Sequence, residues 1–510
     1  MKKIIYTLFI LCLLISCSTK KSGITNRTYH RITSWYNTVF NGNETLDKEL
    51  KAKEQSYEDN FSKIIKVEPI DPFVEDGLDS YIANMGNQQS FDNTGGGSLN
   101  NRVGKVFNDI STLGQGSDQS QAQGLDRVIE KGQKAIENHS MLIKGKEYNS
   151  MLGEAYLMLA RAHYYKRESF DAINYLNYMN STLVKNRKEN QANVYLALAQ
   201  AQAGNSFEAN EIYEKILNSD MKKRDIKFAM RAYSQFLIDQ ERYKEGIAAL
   251  EVSKRYNKTK YERGRYNFIQ GQLSEKLGKE ENAADYYQTA YNKKPSPELE
   301  IKSQIALSRL FKGDTLKYRD RVKFLKKLTK NGLYQSRKNE LYYAMAVTSL
   351  KVKKEKDAME FLNQSLKEKE SDPQVRALAY QAVGDIYFFR PDYIYAGAYY
   401  DSAISRFIDP DMKTRLSAKN NSLKEVIKKY YLVKKNDSIL AVAKMTPDER
   451  NQYFQKHIDK LKVEEEKVRR ELEKQMDEAN NTVFATETLD GNASFTSLST
   501  SNSGKWYFYN

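Results

Sequence analysis

Cysteine and histidine are nearly missing from this 510-residue chain, which has two cysteines, Cys12 and Cys17, and four histidines, His30, His139, His163 and His457. Cys12 lies inside an N-terminal apolar run and Cys17 follows it, so a chain processed at that point has no disulfide, no thiol nucleophile and no cysteine metal site. The histidines stand singly, without the i, i+4 pair that binds zinc on a helix. Neither a glycine-rich phosphate loop nor a Gly-x-Ser-x-Gly turn occurs. His163 sits in an apolar helical stretch, where a packed ring is the expected state. These absences predict no catalytic residue, no metal, no small-molecule substrate and no cofactor beyond a covalent lipid. Long apolar runs are scarce too: Ile4 to Leu14 is eleven residues, too short for a lasting transmembrane helix.

That short run has a different meaning. Lys2 and Lys3 precede it, and Leu14-Ile15-Ser16-Cys17 places a small residue directly before a cysteine. This is the pattern of a signal peptide cut before a cysteine that then carries lipid, so Cys17 is the expected lipidation site and residues 1–16 the leader. Several acyl chains on one residue would make a stable anchor.

What is abundant is material for helices. The chain is 40% hydrophobic, with 8 prolines, 36 tyrosines and few β-rich runs. Small residues recur at Ala172, Ala209, Gly246, Ala283, Ala358 and Ala396, with gaps of 37, 37, 37, 75 and 38. The double gap places a degenerate unit near Arg319 to Arg321. A constant period of this size predicts an all-α solenoid of stacked helical hairpins that cannot bury their apolar faces singly. Gly384, Tyr387, Tyr393, Ala396, Tyr400 and Ala403 follow the tetratricopeptide pattern, as do Gly271, Gly278, Ala283, Tyr287, Ala290 and Pro295. Weaker units run through Leu159, Ala160, Ala172 and Leu176, then Leu196, Ala197, Gly204, Ala209 and Tyr213. A period near 37 exceeds the common 34, which leaves longer HEAT-like pairs as the fallback.

The solenoid is expected over 125–408, with different character on either side. Residues 17–82 read as a lipidated start plus a helical hairpin, Tyr29, Ile32, Trp35, Tyr36 and Phe40 on one side and Asn41-Gly42-Asn43 as its turn. Residues 83–124, rich in Gly, Asn, Gln and Ser, read as a flexible linker. Over 409–478 a helical extension is expected, its long charged helix opened by Thr446-Pro447-Asp448-Glu449 and supported by the pairs Glu465–Arg469 and Glu466–Arg470. Residues 479–510 read as a disordered tail ending in the aromatic cluster Trp506-Tyr507-Phe508-Tyr509, which looks like the start of a further element in a longer parent.

Two surfaces stand out as partner sites. Arg309 to Lys356 holds 15 Lys or Arg against four acids, a local net of +11 in a chain of +15. Within it Lys312, Lys317, Arg319, Arg321, Lys323, Lys326, Lys327, Lys330, Arg337 and Lys338 form a candidate basic patch for an acidic protein or anionic lipid. The competing explanation is a set of solvated outer helix faces. Counting from the small-residue register puts Arg161, Tyr164, Arg231, Gln235, Arg265, Gln272, Tyr343, Gln381 and Asp385 on the inner, groove-lining face. Nucleic acid is not expected, since no recognition module is present.

Several segments are not generic repeat sequence. These are Cys17-Ser18-Thr19-Lys20-Lys21, Tyr36-Asn37-Thr38-Val39-Phe40-Asn41-Gly42-Asn43-Glu44, and Lys134-Ala135-Ile136-Glu137-Asn138-His139-Ser140 with Lys144-Gly145-Lys146-Glu147 and Glu154-Ala155-Tyr156-Leu157. Asn436-Asp437-Ser438, Met445-Thr446-Pro447-Asp448-Glu449-Arg450 and the terminal Trp506-Tyr507-Phe508-Tyr509-Asn510 join them. Together they resemble the SprE/PorW lipoproteins, which serve type IX secretion and gliding motility in Bacteroidota. The resemblance implies a lipid-anchored adaptor of the outer membrane, linking the secretion translocon to periplasmic ring and motor proteins. Ser18-Thr19-Lys20-Lys21 lacks the acidic run that resembles a surface-export signal in such lipoproteins, which favours the periplasmic face. Members of the family usually run on beyond the aromatic cluster, and the stretch after Gly77 looks expanded. A SusD-like glycan-binding lipoprotein is the alternative, disfavoured by the even period and the two tryptophans; an enzyme with a fold-hidden site comes third.

Overall fold

The computed structural model describes residues 18–70 and 124–486, apart from 258 and 314. The leader, Cys17, most of the Gly/Asn/Gln/Ser-rich stretch and the aromatic end lie outside the described residues. The chain divides into two units, residues 1–418 and 419–510.

In the first unit the N-terminal segment comprises α1 (Ile24–Ser34), one π turn (Trp35–Val39) and α2 (Phe40–Ser56), followed by α3 (Gly124–His139). A small hairpin, β1 (Leu142–Ile143) with β2 (Lys146–Glu147), comes next. Paired helices then follow: α4 (Leu152–Tyr165) with α5 (Ser169–Thr182), α6 (Glu189–Gln202) with α7 (Ser206–Leu217), and α8 (Lys223–Asp239) with α9 (Tyr243–Tyr256). The series continues with the pair α10 (Lys260–Lys276) and α11 (Glu280–Lys293); α12 (Pro297–Arg309) and α13 (Thr315–Leu328) follow and both pack on α14 (Lys338–Lys351) rather than as a close pair; α14 pairs with α15 (Glu355–Lys367), and α16 (Pro373–Phe389) with α17 (Tyr393–Arg406). This is the expected all-α repeat solenoid, and α13 occupies the place of the degenerate unit.

The sequence pattern makes the hairpins close. Each of Ala172, Ala209, Ala283, Ala358 and Ala396 is fully buried on a second helix, where a larger side chain would push the pair apart. Gly271 and Gly384 are the matching positions on first helices. A methyl carbon on Gly271 would lie 2.7 Å from the Tyr287 ring, and one on Gly384 would lie 2.6 Å from the Tyr400 ring. Both tyrosines are buried, and their hydroxyls donate to Glu275 at 2.6 Å and Asp385 at 2.7 Å, which satisfies the polar end of each ring. The turns repeat as well: Arg167, Gly204, Glu241, Gly278 and Lys353 all adopt left-handed backbone between the two helices of a pair. In the degenerate unit Arg321 reaches from α13 to the Gln304 side chain at 2.6 Å and its carbonyl at 2.8 Å. Burial holds its guanidinium down to about 10.

The N-terminal hairpin is corrected. Residues 24–56 run as one continuous helical path, and Asn41-Gly42-Asn43 lies within α2 rather than in a turn. Gly42 serves close packing: a methyl carbon there would meet the Met158 sulfur at 2.5 Å. The buried face is corrected too. Asn26, His30, Ser34 and Thr38 are buried, on the side that packs on α3, whereas Ile32, Trp35, Tyr36 and Phe40 are exposed. The buried hydroxyls bond back along the helix, Thr38 to the Ser34 carbonyl at 2.8 Å and Ser34 to that of Arg31 at 3.3 Å, so both hydroxyls of this stripe are satisfied when packed.

After Asp409 comes α18 (Pro410–Ala443), within which the second unit begins at Lys419, and then α19 (Pro447–Thr486). The start of α19 is the expected capping box, with Thr446 N–H donating to Glu449 at 2.9 Å and Glu449 N–H donating to the Thr446 hydroxyl at 3.4 Å. Arg470 pairs with Glu466 at 2.8 Å as expected, but Arg469 pairs with Glu473 at 3.6 Å instead of Glu465. The helix runs on to Thr486, beyond the expected end.

The concave groove and the segment that fills it

The groove is built by the first helices of successive pairs, and the chain lays its own N-terminal segment across it. Tyr57 to Ile70 leaves α2 without helix or strand and reaches inner-face residues some 200 positions away in sequence. Gln272 grips its backbone at both ends of the amide: its oxygen accepts from Ile65 N–H at 3.1 Å and its nitrogen donates to the Lys63 carbonyl at 2.8 Å. Gln235 accepts from Val67 N–H at 2.8 Å. Arg265, 1% exposed, clasps Asp59 with both nitrogens at 2.6 and 2.7 Å and donates to the Lys66 carbonyl at 2.7 Å. Arg231 pairs with Glu68, and Arg161 with Asp47 of α2 at 3.1 Å.

Beneath these polar contacts the strap is apolar. Ile65 and Val67 are buried with Tyr266, Phe268, Leu273 and Tyr287, and Phe61 meets Phe268 edge to face at 5.6 Å. Desolvation opposes the Arg265 charge, but the Asp59 hydrogen bonds outweigh it and its pKa rises. Lys66 is held below its usual value by burial. Flanking the strap are two hollows of about 630 and 510 Å³. Tyr165, Tyr195, Phe228 and Arg231 line the first; Tyr164, Gln235 and Asp239 line the second, where burial raises the Asp239 carboxyl. Around the first, Asp47 pairs with Arg161, Glu262 with Lys227 at 2.9 Å and Glu68 with Arg231, so ion pairs and aromatic rings line the space.

Thus Arg161, Arg231, Gln235, Arg265 and Gln272 converge as inner-face residues, but on a segment of the same chain. Tyr164 lines the adjacent hollow. Tyr343 is buried with its hydroxyl pushed up to about 12, Asp385 accepts from Tyr400, and Gln381 is half-buried on α16, so these three take no part in the clasp. Sequence reasoning missed Asp59, Ile65, Val67 and Glu68. Their one signal is the alternation Ile65-Lys66-Val67-Glu68 before Pro69, which fits an extended segment and no helical period.

The basic patch also changes. Arg321 is turned inward onto Gln304, and Arg337 is bound to Glu298 at 2.8 Å and Glu340 at 2.7 Å, so neither offers charge to a partner. Lys312 pairs with Glu280 at 2.6 Å and Lys338 is half-buried. Lys317, Arg319, Lys323, Lys326 and Lys327 remain exposed on α13 and Lys330 just past its end, the last four beside the Phe324 ring. His163, expected as a packed ring, is buried, stacks on Tyr175 at 5.3 Å and bonds Glu168, which Lys166 also approaches at 3.2 Å.

These features define a tetratricopeptide-type helical repeat protein with a strapped groove. No family model matches the chain, and no curated protein matches it. Among solved structures, it is similar to a tetratricopeptide repeat protein from Parabacteroides merdae at 14% identity and a TM-score of 0.36, over 52% of this chain and 98% of that one. It is also similar to the APC/C hetero-tetramer Cut9-Hcn1, at 13% identity and 0.30 over 58% and 52%, and to the P58(IPK) TPR domain, at 14% and 0.16 over 64% and 98%. With scores this low, the fold rests on the chain's own helices and their period.

Proposed function

We propose that this chain is a non-catalytic scaffold whose concave face holds extended protein segments, and that it acts as a lipid-anchored adaptor of the outer membrane facing the periplasm. The observation that carries the scaffold reading is the strap. Two glutamines bond its backbone, two arginines hold its acids, and an apolar floor takes alternate side chains. Backbone hydrogen bonds with pockets for alternate side chains are the general chemistry of extended-peptide recognition. The finer reading, a link between the type IX secretion translocon and its ring and motor proteins, is supported by the SprE/PorW-like segments and by the leader ending at Cys17. The exposed lysines of α13 are the surface offered to an acidic partner.

A mild-detergent pull-down of the lipoprotein from its native membrane tests this. Translocon or ring subunits should be recovered with wild type and lost when Lys323, Lys326, Lys327 and Lys330 are reversed to Glu. Recovery of starch-type transporters alone, or of no partner, contradicts the adaptor. Fractionation of Cys17→Ala should show a chain that high salt strips from the membrane, with unchanged helicity, where the wild type stays bound.

A further inference from the structure

The exposed side of α1 is not explained by a solenoid that binds in its groove. Its inner side packs on α3. Its outer side carries Ile24, 76% exposed, and Ile32; Trp35 and Tyr36 continue that side through the π turn, and Phe40 follows past it. Trp35 and Phe40 lie edge to face at 5.8 Å, so these two rings form one exposed pair. Between them run the cations: from Ser18 to Asn43 there are Lys20, Lys21, Arg27 and Arg31 and no Asp or Glu.

Two other segments meet this helix, the hairpin side at Tyr148 and the loop between α5 and α6. Ile24, Arg27 and Arg31 share a hollow of about 300 Å³ with Tyr148, Val184 and Lys185. Val184, 56% exposed, is held there by its N–H, which donates to the Glu147 carbonyl of the hairpin at 3.2 Å, and the hairpin itself exposes Leu142 and Lys144. The hairpin's own acid adds no negative charge to this surface. Glu147 is 1% exposed, accepting from the Ser140 hydroxyl and from the Met141 and Asn149 amides. The first described residue is fixed to the same helix, since the buried Asn26 amide donates to the Ser18 carbonyl at 2.8 Å.

From this we infer that the outer side of α1, with the hairpin and the loop around Val184, docks onto an anionic phospholipid surface. An amphipathic helix with basic residues among Trp, Tyr, Phe and Ile is the chemistry of the bilayer interface: rings and branched side chains enter the headgroup boundary while guanidinium and ammonium groups meet phosphate. Ser18 adjoins Cys17 in sequence, so a lipid there would tether the chain beside this face. This orientation role rests on the lipidation reading; the surface chemistry does not. The exposed lysines of α13 compete for the same ligand class, but the rings beside the cations favour α1, where one lone ring, Phe324, lines the α13 surface.

The chain from Ser18 onward lacks the leader and the cysteine and keeps every described residue. With Trp506→Phe, Trp35 is its one tryptophan. Sedimentation with vesicles of phosphatidylcholine, alone or mixed with equal phosphatidylglycerol, should show at least about tenfold tighter binding to the anionic vesicles. Trp35 emission should shift to the blue and be quenched by brominated acyl chains. Arg27→Glu with Arg31→Glu should lose the binding more than tenfold at unchanged helix content, whereas Lys326→Glu with Lys327→Glu should leave it alone. Absence of binding to anionic vesicles overturns the inference. So do binding with unshifted Trp35 emission, loss through the α13 pair alone, and self-association through this face in place of lipid binding. Acyl labelling of the intact wild type at Cys17 is scored separately: a chain that takes no lipid but whose shortened form binds vesicles sinks the anchor reading and leaves the surface standing.

Discussion

The middle of the solenoid and its C-terminal repeats use the same hairpin for different ends. From α8 to α10 the inner face is open in construction and then closed by the strap, so Gln235, Arg265 and Gln272 spend their hydrogen bonds on a segment far away in sequence. From α12 to α17 the polar groups turn inward within the repeats. Lys302 of α12 is buried between Glu340 at 2.6 Å and Asp372, and Arg376 caps the end of α15 through the Ser365, Leu366 and Glu368 carbonyls. In the first region specificity is directed to a peptide; in the second it locks one repeat to the next. The contrast shows that repeat register fixes where an inner face lies, while the content of the groove is decided elsewhere in the chain.

The contrast breaks most sharply at Arg265. Arg265→Ala leaves the Asp59 carboxylate unpaired in a nearly closed site, and the expected loss is about 3–5 kcal/mol, read in urea unfolding together with rapid proteolysis between Tyr57 and Ile70. Unchanged proteolysis would mean that Ile65 and Val67 alone hold the strap. Arg376→Met should cost about 1–3 kcal/mol in the same titration through its three abandoned carbonyls, yet leave the strap as resistant as in wild type. Gly384→Ala, which drives a methyl into the Tyr400 ring, should likewise cost about 1–3 kcal/mol. Glu241→Gly runs the other way: relief of a left-handed residue in a repeat turn should raise stability by about 1 kcal/mol, and a loss there would assign Glu241 a contact beyond the turn.

The smallest effect concerns pH. His139 is partly buried and faces His30, their Nδ1 atoms 3.3 Å apart, and desolvation first and His30 second lower its pKa below 6.5. The folded chain therefore favours the neutral ring. Its contribution is complete above about 6.5 and is lost as pH falls toward the lowered value, because the unfolded chain takes the proton first. Melting temperature should fall between pH 7 and pH 5.5, with a shallower slope in His139→Gln.

The repeats were legible because their signal is local and periodic. Ala283, Gly271 and Tyr287 announce one another within a single hairpin, and each has only its neighbours to satisfy. The face of α1 was read the wrong way round because its neighbour decides burial. Asn26, Ser34 and Thr38 can be packed once their polar groups bond to nearby backbone, and hydrophobicity by itself carries no record of that. Asn41-Gly42 misled for a related reason: glycine marks turns, but here it marks the spot where the Met158 side chain presses on a helix. Of the groove, the lining was accessible from register and the occupant was not, since no pattern in Asp59 to Glu68 points to partners such as Gln272. The charge count of the basic patch had the same weakness: Arg321 and Arg337 count as positive in a sum and are spent inside the fold.

Hydrogen exchange at the Ile65 and Val67 amides tests the strapped groove most directly, because each is bonded to one glutamine of the inner face. Both amides should be protected in wild type, and Gln272→Ala should release Ile65 more than Val67. Exchange of both at the rate of an unstructured chain in wild type would contradict a groove that holds this segment.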